Sequence, residues 1–553
     1  MKWRLSLFSQ KTFYDIKHIS ILIVVCGIFC FFILNVNSST FMMPQYGYDR
    51  DSIFGMMSLK ALQESSLSES SRLSSPFDFS YCEFPGDKLL TFIIFLLSKT
   101  FSLNIWGALN LYYLLTYFLS VIITFIVLRK FNISASWSIL SAIAYTFMPY
   151  HFYHGVTHLA LASYYLIPVS FLAFSWLFNA KNFKWSYFGA TVFYCILLGL
   201  QAAYYYFFSA IILGALFLRT IRLKNNRFTV TILLILVISF LAFLSIFKLP
   251  VVFYQIDNGA NYLFINRHFS EASKYALHPT SIVLPPLHSI LPQNNEAGIS
   301  YVGLLGIFGL LCLFIPGRQK NSLYEMMRFV FIVCFFFCTV DGLGLVFSYH
   351  IGGMIRGLNR VIVYLAFIAF LTAAKELNLY TKNKSKPIYL VIFTCTCVIV
   401  FFDFFDYKAF VDRVKFNNPY AIQYESDQKF FMGMESVLPA EAQVYQLPYM
   451  PFPEMPFIHN MSDYEHFKAF LHTETLRFSY GANKGRQADY WNRYINSLST
   501  EEMVKELEAC GFRALYLDTA GYPDQGIALV EKLKNIIGRE PTYSPDGRRL
   551  FSF

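Results

Sequence analysis

A polytopic α-helical membrane protein of about eleven spans, with a small α/β domain at its C-terminal end, is the fold class the sequence predicts. Three observations lead there. Of the 553 residues 56% are hydrophobic and 14% charged, against roughly a quarter charged in ordinary soluble proteins. Long apolar runs alternate with short basic clusters, the pattern that orients membrane spans. After Phe404 the composition turns abruptly polar and mixed. A soluble multidomain protein is excluded by the first observation, and a disordered chain by the surface available to bury. Aromatic residues make up 19%, which suits lipid-facing helices and interfacial belts.

The elements follow in chain order. Lys2, Arg4, Lys11 and Lys17 precede the apolar run Ile21 to Leu34, with no convincing small-residue cleavage site behind it. This reads as a retained first span with a cytoplasmic N-terminus. Basic clusters then recur at Arg129-Lys130, Lys181 with Lys184, Arg219 to Arg227, Arg318 with Lys320 and Arg328, and Lys375 to Lys386. Placing all of them in the cytoplasm requires spans near 19–36, 105–128, 134–149, 159–178, 186–201, 203–219, 228–249, 300–316, 328–346, 357–374 and 387–404. Counting Leu89 to Phe101 as a twelfth would put Arg129-Lys130 outside. That run is short against the ~20 residues of a span and better suits a helix lying in the interface.

Two long outer loops result, 37–104 and 250–299, the second punctuated by Pro279, Pro285, Pro286 and Pro292. Residues 1–406 form the membrane domain and 407–553 a soluble, outward-facing one. In the latter Gln443 to Leu447, Arg513 to Asp518 and Arg549 to Phe553 read as strands. Thr500 to Cys510 and Gln525 to Ile537 read as amphipathic helices, and Asp546-Gly547 as a hairpin turn. Eight of ten cysteines lie in apolar runs; only Cys82 and Cys510 could pair. The net charge of +10 resides mostly in the cytoplasmic loops and does not call for nucleic acid.

Three clusters could carry chemistry. Tyr46-Gly47-Tyr48-Asp49-Arg50-Asp51-Ser52 opens the first outer loop. Asp49 and Asp51 there could share a divalent cation or divide into base and ligand, or the stretch could be an ordinary polar loop start with a helix N-cap, since Ile53 to Leu62 looks helical. Glu83 and Asp87 follow in the same loop. Tyr150-His151-Phe152-Tyr153-His154 with His158 lies at the outer end of the third span. Its histidines could bind metal, sugar hydroxyls or phosphate, or cap the interface. Arg356, Asn359 and Arg360 open the tenth span on the outer side, against the charge trend. A phosphate is their natural partner. Gln201 and Tyr204-Tyr205-Tyr206 read as an interfacial belt, and Glu296 as a helix cap or a substrate contact. No Walker loop, dinucleotide fingerprint or GxSxG stands in a supporting context.

The layout from Tyr48 through Trp176 resembles the opening module of bacterial GT-C glycosyltransferases: first span, long outer loop with an acidic residue, interfacial helix, returning span. The closing stretches Leu447-Pro448-Tyr449-Met450-Pro451-Phe452-Pro453-Glu454, Asp463-Tyr464-Glu465-His466-Phe467 and Ser479-Tyr480-Gly481-Ala482-Asn483-Lys484-Gly485-Arg486 resemble a group of bacterial membrane proteins loosely described as glycosyltransferases or sugar translocases. The resemblance implies transfer of a hexose or pentose from a polyprenyl-phosphate carrier, outside the cytoplasmic membrane, to an envelope glycan, lipid or protein acceptor. Carried over by position, Asp51 becomes the base and Asp49 the second carboxylate. Arg356 or Arg360, with Asn359, would hold the carrier phosphate, and His151, His158, Glu83, Asp87 and Glu296 the rest of the substrate. A magnesium or manganese ion on Asp49, Asp51 and His154 is a further expectation. The alternatives are a lipid-linked sugar translocase, which needs the arginines but no base, and a phosphoglycerol-type transferase.

Overall fold

The computed structural model describes residues 10–36, 41–66, 68–84, 87–263, 267–285, 299–315, 321–351, 353, 355–411 and 419–552. Apolar periodicity and length set the membrane part. Among the described residues six helices are long and apolar enough to cross a membrane. They lie within α1 (Gln10–Leu34), α4 (Ile105–Lys130), α10 (Ala203–Arg222), α11 (Asn226–Asn258), α17 (Ile362–Thr381) and α18 (Lys386–Val411). Between them run α2 (Arg50–Glu64), α3 (Lys88–Phe101), α5 (Ala135–Thr146), α6 (Pro149–His154), α7 (Leu159–Ala162), α8 (Ile167–Asn179) and α9 (Trp185–Gln201). Beyond α11 come α12 (Glu271–Lys274), α13 (Pro279–Val283), α14 (Gly303–Leu313), α15 (Ser322–Cys338) and α16 (Leu343–Ile351).

Helix α17 is the hub. Its side chains from Ile362 to Ala374 are buried throughout, and α14 presses on it so closely that a Cβ on Gly309 would stand 2.0 Å from the Ala369 carbonyl oxygen. Only glycine permits that approach. Helix α3 covers the run Leu89 to Phe101 and has one inward and one outward face. Leu90, Ile94 and Ser98 face inward at four-residue spacing, while Phe92, Leu96 and Phe101 stay exposed.

Three spans differ from the expectation, and the first of them, the fourth (159–178), is broken between α7 and α8. The ninth, predicted as 328–346, breaks after Cys338, where Asp341 adopts φ +56° before α16 begins. The seventh continues past Pro250 to Asn258, so the second outer loop begins as helix. Proline removes one backbone donor, but the flanking turns carry the helix through it.

The C-terminal part holds α19 (Pro419–Val437), α20 (Phe467–Leu471), α21 (Gln487–Ser497), α22 (Thr500–Ala509) and α23 (Ile527–Ile537). A two-residue ladder in the first loop forms β1 (Glu69–Ser70) and β2 (Phe79–Ser80). A five-stranded mixed sheet is built from β3 (Gln443–Leu447), β4 (Arg477–Phe478), β5 (Phe512–Asp518), β6 (Thr542–Tyr543) and β7 (Arg549–Ser552), in the order β4-β3-β5-β7-β6. Strand β3 is parallel to both neighbours, and β7 is antiparallel to β5 and β6. One face of the sheet makes a small core with α21 to α23, through Ile495, Leu507, Leu517 and Leu533. The other face, with Phe452, Phe467, Tyr516 and Phe551, belongs to the same continuous core as α2 and the membrane helices. All ten cysteines, Cys82 and Cys510 included, are free thiols.

Candidate active site

The first turn of α2 is fixed before it can do chemistry. Asp49 occupies the N-cap: its N–H donates to Ser52 Oγ at 2.9 Å and its carbonyl accepts the Ser52 N–H at 3.0 Å. Tyr48 anchors the turn from below, its hydroxyl 2.9 Å from Asp427 Oδ2 and 2.6 Å from His472 Nε2. Asp51 then stands in the first helical turn, where the backbone dipole favours negative charge. Its Oδ2 lies 3.1 Å from His158 Nδ1, and His158 is fixed at the N-cap of α7 by donating its N–H to the His154 carbonyl.

The Asp51 side chain is 45% accessible, yet the surrounding protein penalises its charge, so it lines a recess rather than an outer face. Against that desolvation, the hydrogen bond and charge of His158, then Arg360 and Arg356, hold its carboxyl below the usual carboxylate range. Asp87 starts α3 in the same environment. Desolvation and the Asp51 charge push it up to about 6, against the pull of His158 and Arg360. Asp463 enters from the C-terminal part, pushed up to about 7 by desolvation and then by Asp51. Its neighbour Tyr464 packs on Phe54 of α2, ring centroids 5.6 Å apart, and Arg50 lies 5.0 Å from the Phe457 ring.

On the other side Arg356 Nη1 meets Glu271 Oε2 at 2.5 Å, and Nη2 stands 3.8 Å from Glu454 Oε1. Arg267 grips both oxygens of Glu454. Arg360 lies over the Tyr204 ring at 4.1 Å.

The structure thus brings together five of the residues read from the sequence: Asp51, His158, Asp87, Arg356 and Arg360. Others it places elsewhere. Asp49 turns to the Tyr420 hydroxyl. His151 is buried, stacked 3.7 Å above Tyr117, with Nε2 2.8 Å from Thr116 Oγ1 and Nδ1 2.9 Å from the Thr146 carbonyl oxygen. His154 is packed between Tyr150 and His158. Asn359 is buried, its N–H donating to the Tyr275 carbonyl at 2.9 Å. Glu83 is 3% accessible and forked by Arg486, with Gln255 donating at 3.0 Å; it ties the first loop to α11 and the C-terminal part. Glu296 lies outside the described residues.

Arg267, Glu271, Glu454 and Asp463 are site residues that sequence reasoning did not single out, and Tyr204 is a guanidinium support rather than a belt residue. Among the described residues, no three His, Cys, Asp or Glu side chains converge as a cation would require. Asp49 faces Tyr420, Asp51 and His154 both face His158, and two guanidinium charges act on Asp51.

The geometry invites comparison with known proteins. The sequence profile of a family described as a domain of unknown function, DUF6311, matches residues 89–356. No curated protein matches in sequence. Among solved structures, ArnT from Cupriavidus metallidurans bound to undecaprenyl phosphate superposes with a TM-score of 0.56 at 12% identity, over 98% of both chains. The archaeal oligosaccharyltransferase AglB from Archaeoglobus fulgidus, in complex with an inhibitory peptide and a dolichol-phosphate, gives 0.52 at 12%, over 98% of this chain and 74% of that one. The arabinofuranosyltransferase AftD from Mycobacteria gives 0.52 at 12%, over 91% and 35%. The chain therefore has the fold of the GT-C membrane glycosyltransferases.

Proposed function

We propose that the protein transfers a sugar from a polyprenyl-phosphate carrier to an acceptor in the cell envelope, by inverting displacement at the outer face of the bacterial cytoplasmic membrane. The observation that carries this reading is a carboxylate, Asp51, held 3.1 Å from His158 and facing the same recess as two guanidinium groups, Arg356 and Arg360. A base and an anion holder at one place are what displacement of a phosphate from an anomeric carbon needs.

The acceptor hydroxyl gives its proton to Asp51 as its oxygen bonds to the anomeric carbon, and the bond to the phosphate oxygen breaks with its electron pair. His158 holds one carboxylate oxygen and leaves the other for the proton. Arg356 and Arg360 hold the phosphate as it takes up negative charge. Asp87 and Asp463 border the recess as carboxyls that carry a proton more readily than Asp51 does. No step is routed through a metal ion. The acceptor class, whether glycan, lipid or protein, is left to experiment.

General-base action typically contributes ~10²–10⁴ in rate. Asp51→Asn should lower turnover by at least about 10² in purified protein supplied with polyprenyl-phosphate sugar, while still binding the carrier. Near-full transfer by this variant would move the base to another carboxylate of the recess, whereas no transfer by the wild type would leave movement of the lipid-linked sugar across the membrane as the better reading.

A further inference from the structure

The arginine that would hold the carrier phosphate already has two carboxylates on it. Arg356 makes one close contact, to Glu271 Oε2 at 2.5 Å, and one loose one, to Glu454 Oε1 at 3.8 Å. Glu454 is held in place by others. Arg267 grips both its oxygens, Lys484 Nζ donates to its backbone carbonyl at 2.9 Å, and its own N–H reaches the Tyr464 hydroxyl at 3.4 Å. Its backbone sits at φ +50°, a conformation that non-glycine residues adopt at a cost. Two cations and two anions are thus matched before any phosphate arrives. A phosphate on Arg356 must share or displace a carboxylate, because anions crowded onto one guanidinium repel each other. The 2.5 Å contact has hydrogen-bond geometry; the 3.8 Å contact is electrostatic only, and it is the one that can yield while Arg267 keeps its hold.

We propose that Glu454 is a placeholder for the carrier phosphate: it occupies Arg356 in the empty site, gives way when the lipid phosphate binds, and returns to Arg356 as the product phosphate leaves. This rests on the glycosyl-transfer reading above. It assigns to the C-terminal part a role in carrier exchange, because Glu454 reaches Arg356 from a segment about a hundred residues further along the chain.

The test is binding of undecaprenyl phosphate to the full-length protein in detergent, together with product inhibition by the same lipid. Glu454→Gln keeps an oxygen for Arg267 and removes the charge. It should bind the lipid roughly fivefold more tightly, the scale of a partly exposed charge contact, and be inhibited by it at correspondingly lower concentration. Glu454→Asp withdraws the carboxylate from Arg356 but stays within reach of Arg267, and should fall between wild type and Glu454→Gln. Unchanged or weaker binding in both variants, with melting temperatures at the wild-type value, overturns the placeholder. Should one variant fail to fold, the same criterion applies to the other. Failure of the wild type to bind the lipid at all would instead overturn the glycosyl-transfer reading itself, so the two failures are distinguishable.

Discussion

Asp51 ionises although protein surrounds it, and the reason is local. Burial alone would raise its carboxyl, as it raises Asp87 to about 6 and Asp463 to about 7. What separates Asp51 is the direct 3.1 Å hydrogen bond from His158 and the added charge of Arg356; Asp87 feels His158 and Arg360 only as charges. Three carboxyls in one recess are thereby driven apart, one kept charged and two made easier to protonate, the pattern by which acid and base duties are divided. His158→Gln tests this. With the histidine gone, Asp51 loses the largest opposition to its desolvation, so its carboxyl should titrate at higher pH. The acid limb of the kcat/KM profile, which reports the free enzyme's base, should move upward. A limb that stays in place or moves downward would show that His158 does not set the ionisation of Asp51.

At the scale of elements, the turn carrying Asp51 is held by a buried ionic network in the C-terminal part. Arg549 is fully buried, paired with Asp427, 3.3 Å from Glu465 Oε2 and donating to the Tyr516 hydroxyl at 3.1 Å. Lys468 and Arg548 reach Glu465 Oε2 at 2.8 and 3.0 Å, and Arg548 also meets Asp518 at 3.1 Å. Burial disfavours the charge on Glu465, but Lys468, Arg548 and Arg549 together bring its carboxyl down to about 2. Tyr48 joins the network through Asp427, three residues ahead of Asp51. Asp427→Asn leaves a buried guanidinium without its main counterion, which costs about 3–5 kcal/mol. A correspondingly lower melting temperature in detergent is expected, and a change within error would show the network to be dispensable.

The same elements show what could be read in the chain. Asp51 stood out as an acid just past a span, and Arg356 and Arg360 as positive charge on the side where it is not expected. Both signals are local. Strands β3, β5 and β7 and the helical run of α3 were equally legible from short-range pattern. Glu454, Asp463 and Arg267 gain their meaning only when a segment some 400 residues past Asp51 folds back over α2, and no local periodicity encodes that. Helix α11 runs past the expected span end at 249, through Pro250 to Asn258. Tyr254, Gln255 and Asn258 extend it to meet Arg486 and Glu83.

For the whole molecule the question is which way it faces. Three of the long apolar helices start beside the candidate site. At the head of α4, Trp106 packs on Tyr48 at 5.7 Å; at the head of α10, Tyr204 supports Arg360, which itself precedes α17. All three run away from the site and end in or beside basic residues: Arg129 and Lys130, Arg219 and Arg222, and Lys382 with Lys384. At ~1.5 Å rise per residue, helices of 20 to 26 residues put those ends ~30–39 Å from the site, about the thickness of a membrane. One pole is therefore basic and the other holds the recess. The basic pole is the cytoplasmic one if the positive-inside rule holds, and the C-terminal part, tied to the site through Glu83, Tyr48 and Arg356, then lies outside. Helix α15 gives an independent marker. Its end at Cys338 accepts the Leu277 N–H on the site side, so exposed Ser322 at its start belongs to the opposite pole. In a background with Cys82 and Cys510 changed to serine, a cysteine at exposed Ser436 should react with an impermeant maleimide in intact cells. A cysteine at Ser322 should react only after permeabilisation. Labelling of position 322 from outside would invert the orientation, place the recess in the cytoplasm and remove the basis for an envelope acceptor.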